Sequence, residues 1–239
     1  MGDVLLGVSV PAKVLVDEPL DFAKSSDALA SSEYLQDVVT QVRLAFVLSW
    51  EGQAPPAMIP SWNYFIEALN PGSGWSWNDL PLFANKTPTL LTVDQVNRWK
   101  YWIEKIERVS FSKLGPAPVR ILRASGERRD PYDSLIDAVI AWESLFGTDS
   151  EITFRLSASI ARLLESPGKE RNDLRRRATE IYRMRSKVVH GIHVPVAEVA
   201  DASREAVAIS IACMRKLISD RADLLKMTSL ERSTTILME

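Results

Sequence analysis

The sequence predicts a mainly α-helical protein, an antiparallel helical bundle preceded by an irregular extension rich in Trp and Pro that includes one or two short strands. Three observations carry this. From residue 116 onward, apolar residues recur at helical spacing in segments closed by Gly or Pro. Six of the seven tryptophans (Trp50, Trp62, Trp75, Trp77, Trp99 and Trp102) precede residue 103, and eight prolines lie between Pro11 and Pro88. The 239 residues are 46% hydrophobic and 25% charged, which suits a chain that buries a large core and excludes disorder and collagen-like repeats.

The elements follow in order. Alternation in Val4 to Val16, broken by Pro11, reads as one or two strands. Leu35, Val38, Val39, Val42, Ala45, Phe46 and Ser49 recur at helical spacing, giving a helix from Ser32 to Ser49. The run from Gly52 to Pro88 holds NPGSG and several prolines and reads as a packed loop region. A helix from Val93 to Phe111 presents Val96, Trp99, Ile103 and Ile106 on one face. Residues 1–115 are therefore expected to form an N-terminal extension packed on a helical domain of residues 116–239.

That domain opens with a short helical piece, Val119 to Gly126. Asp130 then suits an N-cap, with Pro131 at the first helical position, and the helix runs to Phe146 before Gly147. Further helices are expected from Ile152 to Glu165, stopped by Ser166-Pro167-Gly168, from Arg171 to His190, stopped by Gly191, and from Val196 to Leu225. Val199, Ala206, Ile209, Cys213, Leu217 and Leu224 form the apolar stripe of the last.

Composition narrows the chemistry. A formal charge of −2 excludes a strongly basic tail, and a lone cysteine, Cys213, excludes an intramolecular disulfide and a Cys-based zinc cluster. Only His190 and His193 are present, so a His-rich metal site is poorly supported and no cofactor is expected. No DxD or ExK carboxylate cluster and no Gly-rich phosphate loop ahead of a helix is evident. No apolar run approaches a membrane span and the start lacks a basic leader, so a cytoplasmic chain with no membrane partner is expected.

Two charges sit where apolar residues belong. Leu174, Ala178, Ile181 and Val189 define a stripe, and Arg185 falls within about 40° of all four. Ile136, Val139 and Phe146 define another, and Glu143 lies within about 60° of each. A Glu143–Arg185 contact explains both, either as a structural ion pair or as a pair that orients a reactive group. His190 follows Arg185 at the spacing R-x4-H in RMRSKVVHG, although five residues turn about 140° and the two side chains do not stack on a straight helix; Arg183 lies about 20° from His190. Between Lys169 and His190 eight basic residues face three acidic ones, which is either a solvated face or a phosphate-binding one.

GERRDPYDSLIDAVIAWESLF, EITFRLSASIARLL and EIYRMRSKVVHG, in that order, resemble the HEPN superfamily, and specifically its Apea-like branch. The likeness covers about residues 117 to 225. It implies an all-helical bundle that pairs as a homodimer, with the R-x4-H helices meeting near the two-fold at a metal-independent endoribonuclease site of the kind used by toxins and anti-phage defence proteins. Carried over, the catalytic pair is Arg185 and His190, supported by Glu143 in AWESLF and Arg155 in TFRL. Ser186 stands where the family often has Asn, Asp or His directly after the motif arginine. Arg183 joins the supporting set, and Arg175, Arg176 and Lys187 are the candidate RNA contacts.

The side chains suit that chemistry. Histidine titrates near neutral pH and serves as general acid or base, and a guanidinium donates two hydrogen bonds to phosphate oxygens as charge grows. In a dimer two His190 residues can divide the acid and base roles and leave a 2′,3′-cyclic phosphate. The expected partners are RNA, a second copy of the chain, and a partner protein or antitoxin. A non-catalytic HEPN module for dimerisation or RNA binding is the alternative; a small-molecule site among the N-terminal tryptophans is a third reading, set against the usual role of aromatic clusters as core.

Overall fold

The computed structural model describes residues 26–51, 62–66, 73–77, 91–148 and 150–239, and there the chain is mainly helical. The strands expected in Val4 to Val16 lie outside the described residues. Helix α1 spans Ser26–Ser49, six residues earlier than the periodicity places its start, because no Pro or Gly interrupts the chain from Ser26 onward. Two strands, β1 (Trp62–Ile66) and β2 (Ser73–Trp77), pair antiparallel within the run expected to be loops. Their register sets Trp62 opposite Trp77 and Tyr64 opposite Trp75, residue types that favour extended backbone.

Helix α2 (Val93–Glu107) starts from a capping box in which the Thr92 hydroxyl accepts the Gln95 amide while the Gln95 side chain accepts the Thr92 amide. It stops four residues before Phe111, where the Ser110 hydroxyl accepts the Ser112 amide and offers the backbone an alternative to the helix. Helix α3 (Ala117–Leu122) runs into a π-turn at Arg123–Glu127. Helix α4 (Pro131–Phe146) begins as expected, with the Asp130 carboxylate accepting the Tyr132 amide at 2.9 Å. It ends at Gly147, which at φ −65° is not left-handed; a Cβ there would lie 2.3 Å from the Glu143 carbonyl oxygen, so close approach requires the glycine.

Helices α5 (Ile152–Leu164), α6 (Lys169–Val189) and α7 (Val196–Ser219) follow. The long final helix expected to reach Leu225 stops at Ser219; a 3₁₀ turn (Leu224–Lys226) and a further helix, α8 (Ser229–Met238), follow it. Thr228 and Glu231 form a second capping box, so the Thr-x-x-Glu signature marks the start of α8 in the sequence.

Hydrogen bonds fix the helix directions. Tyr132 donates to the Val194 carbonyl at 2.7 Å and Tyr182 to Glu143 at 3.0 Å, so α4 and α6 run antiparallel. Arg177 of α6 pairs with Glu205 of α7 at 2.6 Å, and the short link from Val189 to Val196 turns α7 back antiparallel to α6. The central helices α4 and α7 therefore run parallel, with Ser203 bonded to Ser134 and the Trp142 indole to Ser210 at 2.9 Å. Helix α4 is buried on most of its surface: Leu135, Ala138, Val139, Ala141, Trp142, Leu145 and Phe146 are all inaccessible. Each large side chain so buried contributes about 1.5–3 kcal/mol.

Leu44 to Leu48 of α1, with Trp99 and Ile106 of α2, belong to the same continuous core. Arg215 of α7 ties α1 down by donating to the carbonyls of Leu48, in the last turn, and Trp50, just beyond it, where intrahelical donors run out. Of the α6 stripe, Ala178 and Ile181 are buried, whereas Val189, in the last turn, is 50% exposed. Among the described residues no helix is long and apolar enough to cross a membrane.

Candidate functional site on helix α6

Helices α4 and α6 cross where Glu143 meets Tyr182 and Arg185. The Glu143 carboxylate accepts the Tyr182 hydroxyl at 3.0 Å on one oxygen and faces Nη2 of Arg185 at 3.5 Å on the other. Both charged side chains are half-buried, at 21% exposure for Arg185 and 28% for Glu143. The two charges noted on apolar stripes thus satisfy each other. The arginine contact is long, however, and Nε of Arg185 is buried with no hydrogen-bond partner among the described residues. The Glu143 contact engages Nη2 alone and the buried Nε is out of reach, so a second anion would meet the outer guanidinium nitrogens.

Tyr182 was not among the candidates from sequence. It lies three residues before Arg185, one helical turn away, so the helical wheel that selected Arg185 also contains it. Burial, reinforced by the Glu143 carboxylate and partly countered by Arg185, raises its phenol above the usual tyrosine value. At neutral pH it stays a hydrogen-bond donor and fixes the carboxylate.

His190 sits differently. It is the exposed C-cap of α6, its amide bonded to the Ser186 carbonyl at 3.1 Å. Gly191 follows at φ +71°, its amide reaching the Val188 carbonyl while that of Ile192 reaches Lys187. This pair of bonds is a Schellman closure, and the left-handed residue it requires explains the glycine. Arg185 lies in line with Ala178 and Ile181 toward the core, whereas His190, five residues on, is rotated about 140° and displaced about 7.5 Å along the axis. One subunit does not bring the two together.

The remaining candidates spread over the surface. Arg183 is exposed on the His190 side of α6, and Lys187 is exposed, while Ser186 is half-buried. Arg175 and Arg176 are exposed; Arg176 pairs with Asp173 at 3.0 Å and Arg175 lies over the ring of Phe154. Arg155 is not part of the Glu143 cluster: its Nη2 donates to Thr234 of α8 at 2.7 Å, because α5 presents it to α8. His193 is an exposed loop residue.

Two structural charge clusters were also missed. Asp137 is buried and accepts from Arg120 and, at 2.6 Å, from Arg128, which binds the π-turn to α4. Arg232 is fully buried with no carboxylate partner among the described residues; it donates to the carbonyls of Leu224, Leu145, Lys113 and Met227. Burial lowers its pKa to about 10, so it remains a cation at neutral pH. Among the described residues no group of three or more His, Cys, Asp or Glu is placed to hold a metal ion. Compared with known proteins, the chain matches no family model, no curated protein and no solved structure.

Proposed function

We propose that the protein is a metal-independent endoribonuclease whose site is composed from the α6 helices of two subunits, as the resemblance to Apea-like HEPN domains implies, and that it serves as a toxin or anti-phage effector. The observation that carries this reading is the state of Arg185: half-buried, and held by the Tyr182-bonded Glu143 carboxylate through a single long contact from Nη2. Such a group holds a phosphate oxygen and the charge that grows on it during attack by a 2′-hydroxyl. His190, exposed at the end of the same helix, supplies the proton transfer. In this reading the two residues act across the pair, with His190 of one subunit approaching the phosphate held by the other, which accommodates their displacement along α6. Arg183, Ser186 and Lys187 flank that path, and Arg175 and Arg176 extend the cationic surface along the helix.

The test is incubation of the purified protein with labelled RNA in EDTA. Cleavage lost in both Arg185→Ala and His190→Ala is expected; no cleavage by wild type, or equal cleavage by the variants, refutes the reading. A second reading is favoured by the Glu143–Arg185 contact itself, which also suits a structural staple in a non-catalytic dimerisation or RNA-binding module. In that case His190→Ala is silent in cells while Arg185→Ala lowers stability by leaving the Glu143 carboxylate without its cation.

A further inference from the structure

We infer that Phe154, with Arg175 laid over it, is a stacking platform for an unpaired base, so that the RNA recognised is single-stranded beside the site; this rests on the ribonuclease reading and specifies its substrate. Phe154, on the first turn of α5, is 55% exposed, and the guanidinium carbon of Arg175 stands 6.0 Å from its ring centroid. Another exposed aromatic, Tyr101, also carries a cation, Lys105, at 5.4 Å. That pair is four residues apart on one helix, a contact any helix surface makes. The Phe154–Arg175 pair joins two different helices, so packing of α5 on α6 holds both halves in place and leaves the ring at the surface.

Position and charge identify the occupant. Arg175 lies on the flank of α6 that carries Tyr182, about 20° away and about 10 Å along the axis, and Arg185 is about 15 Å along the axis and about 80° around the helix from Arg175. The platform and the candidate phosphate site are therefore about a quarter-turn apart around the helix, a separation that one short segment of single strand can span. The helix that carries both is cationic overall, with eight basic against three acidic residues between Lys169 and His190, which complements a polyphosphate backbone. Phenyl and guanidinium planes are both surfaces on which unstacked bases settle, and a duplex keeps its base faces stacked inside.

The experiment measures fluorescence anisotropy of a short labelled RNA, alone and annealed to its complement, with His190→Ala protein so that the RNA survives. Phe154→Trp is expected to bind the single strand as tightly as the parent. Phe154→Ala and Phe154→Leu are expected to raise its Kd between about fivefold and a hundredfold, the range for loss of one stacked base, while duplex affinity changes by less than about twofold. The leucine variant keeps the apolar bulk and removes the π-face, so it separates stacking from packing. The platform is overturned if Phe154→Ala retains parental affinity or if leucine serves as well as tryptophan. Should the parent bind neither RNA, the ribonuclease reading fails and the platform with it; binding that is indifferent to residue 154 overturns the platform alone.

Discussion

Replacing Arg232 by alanine should be among the most destabilising single changes in the chain. The side chain is fully buried, and its three nitrogens donate to four backbone carbonyls at 2.7 to 3.2 Å. Of these, the Leu224 carbonyl also accepts the Met227 amide at 3.2 Å and keeps a partner without the arginine. The carbonyls of Leu145, Lys113 and Met227 lose theirs, and Leu145 is in the last turn of α4, where no intrahelical donor remains. One buried and two part-buried acceptors at about 1 kcal/mol or less each, plus the space left by a large side chain, give a loss of about 3–5 kcal/mol. That is a large part of a typical domain's 5–15 kcal/mol. Arg232→Lys keeps the charge but cannot span four acceptors and should fall between. Urea unfolding followed by circular dichroism measures both. A loss under about 1 kcal/mol for alanine, or a neutral lysine variant, would show that the carbonyl cage contributes nothing specific.

Three further expectations are simple to check. Cys213 is fully buried and its thiol pKa is pushed up by that burial, so a maleimide should not label native protein and should label one site in urea; stoichiometric native labelling contradicts the packing of α7. Tyr182 has a folded pKa above its unfolded value of 10.0, so its contribution to stability is intact below that pH and is lost as pH rises through the folded value. The phenolate absorbance difference between wild type and Tyr182→Phe should show this late titration, and Glu143→Gln should move it toward lower pH; an ordinary midpoint in wild type would refute the cluster. Gly191→Ala places a Cβ at φ +71° and should cost about 1–2 kcal/mol in chemical unfolding, with a neutral result ruling out the left-handed closure of α6.

The helical bundle was legible where periodicity and caps agree. Asp130 with Pro131 gave the start of α4, and Gly191 gave the end of α6, because a cap has a local cause in one or two residues. The break in the last helix was misread because Ser219 to Leu225 contains no Gly or Pro, and only the Thr228–Glu231 box betrays α8. The hairpin was missed because its proline-rich surroundings outweighed alternating aromatics. At the candidate site, the Glu143–Arg185 pairing followed from two charges on apolar stripes, a mismatch visible on a helical wheel. Arg155, named from the resemblance and not from a helical wheel, meets Thr234 of α8, the helix the sequence reading lacked. Arg232 and Phe154 carry no sequence signal of their own, since burial among carbonyls and exposure beside an arginine are properties of the assembled fold.

The most direct measurement of the central claim is the chemistry of the RNA ends produced in EDTA. Attack by a 2′-hydroxyl, with Arg185 on the phosphate and His190 moving the proton, requires 2′,3′-cyclic phosphate and 5′-hydroxyl ends. Their rate of appearance should fall by about 10²–10⁴ in His190→Ala, the usual share of a general acid–base group. Fragments with 5′-phosphate ends, cleavage that EDTA abolishes, or an unchanged rate without His190 would each contradict it.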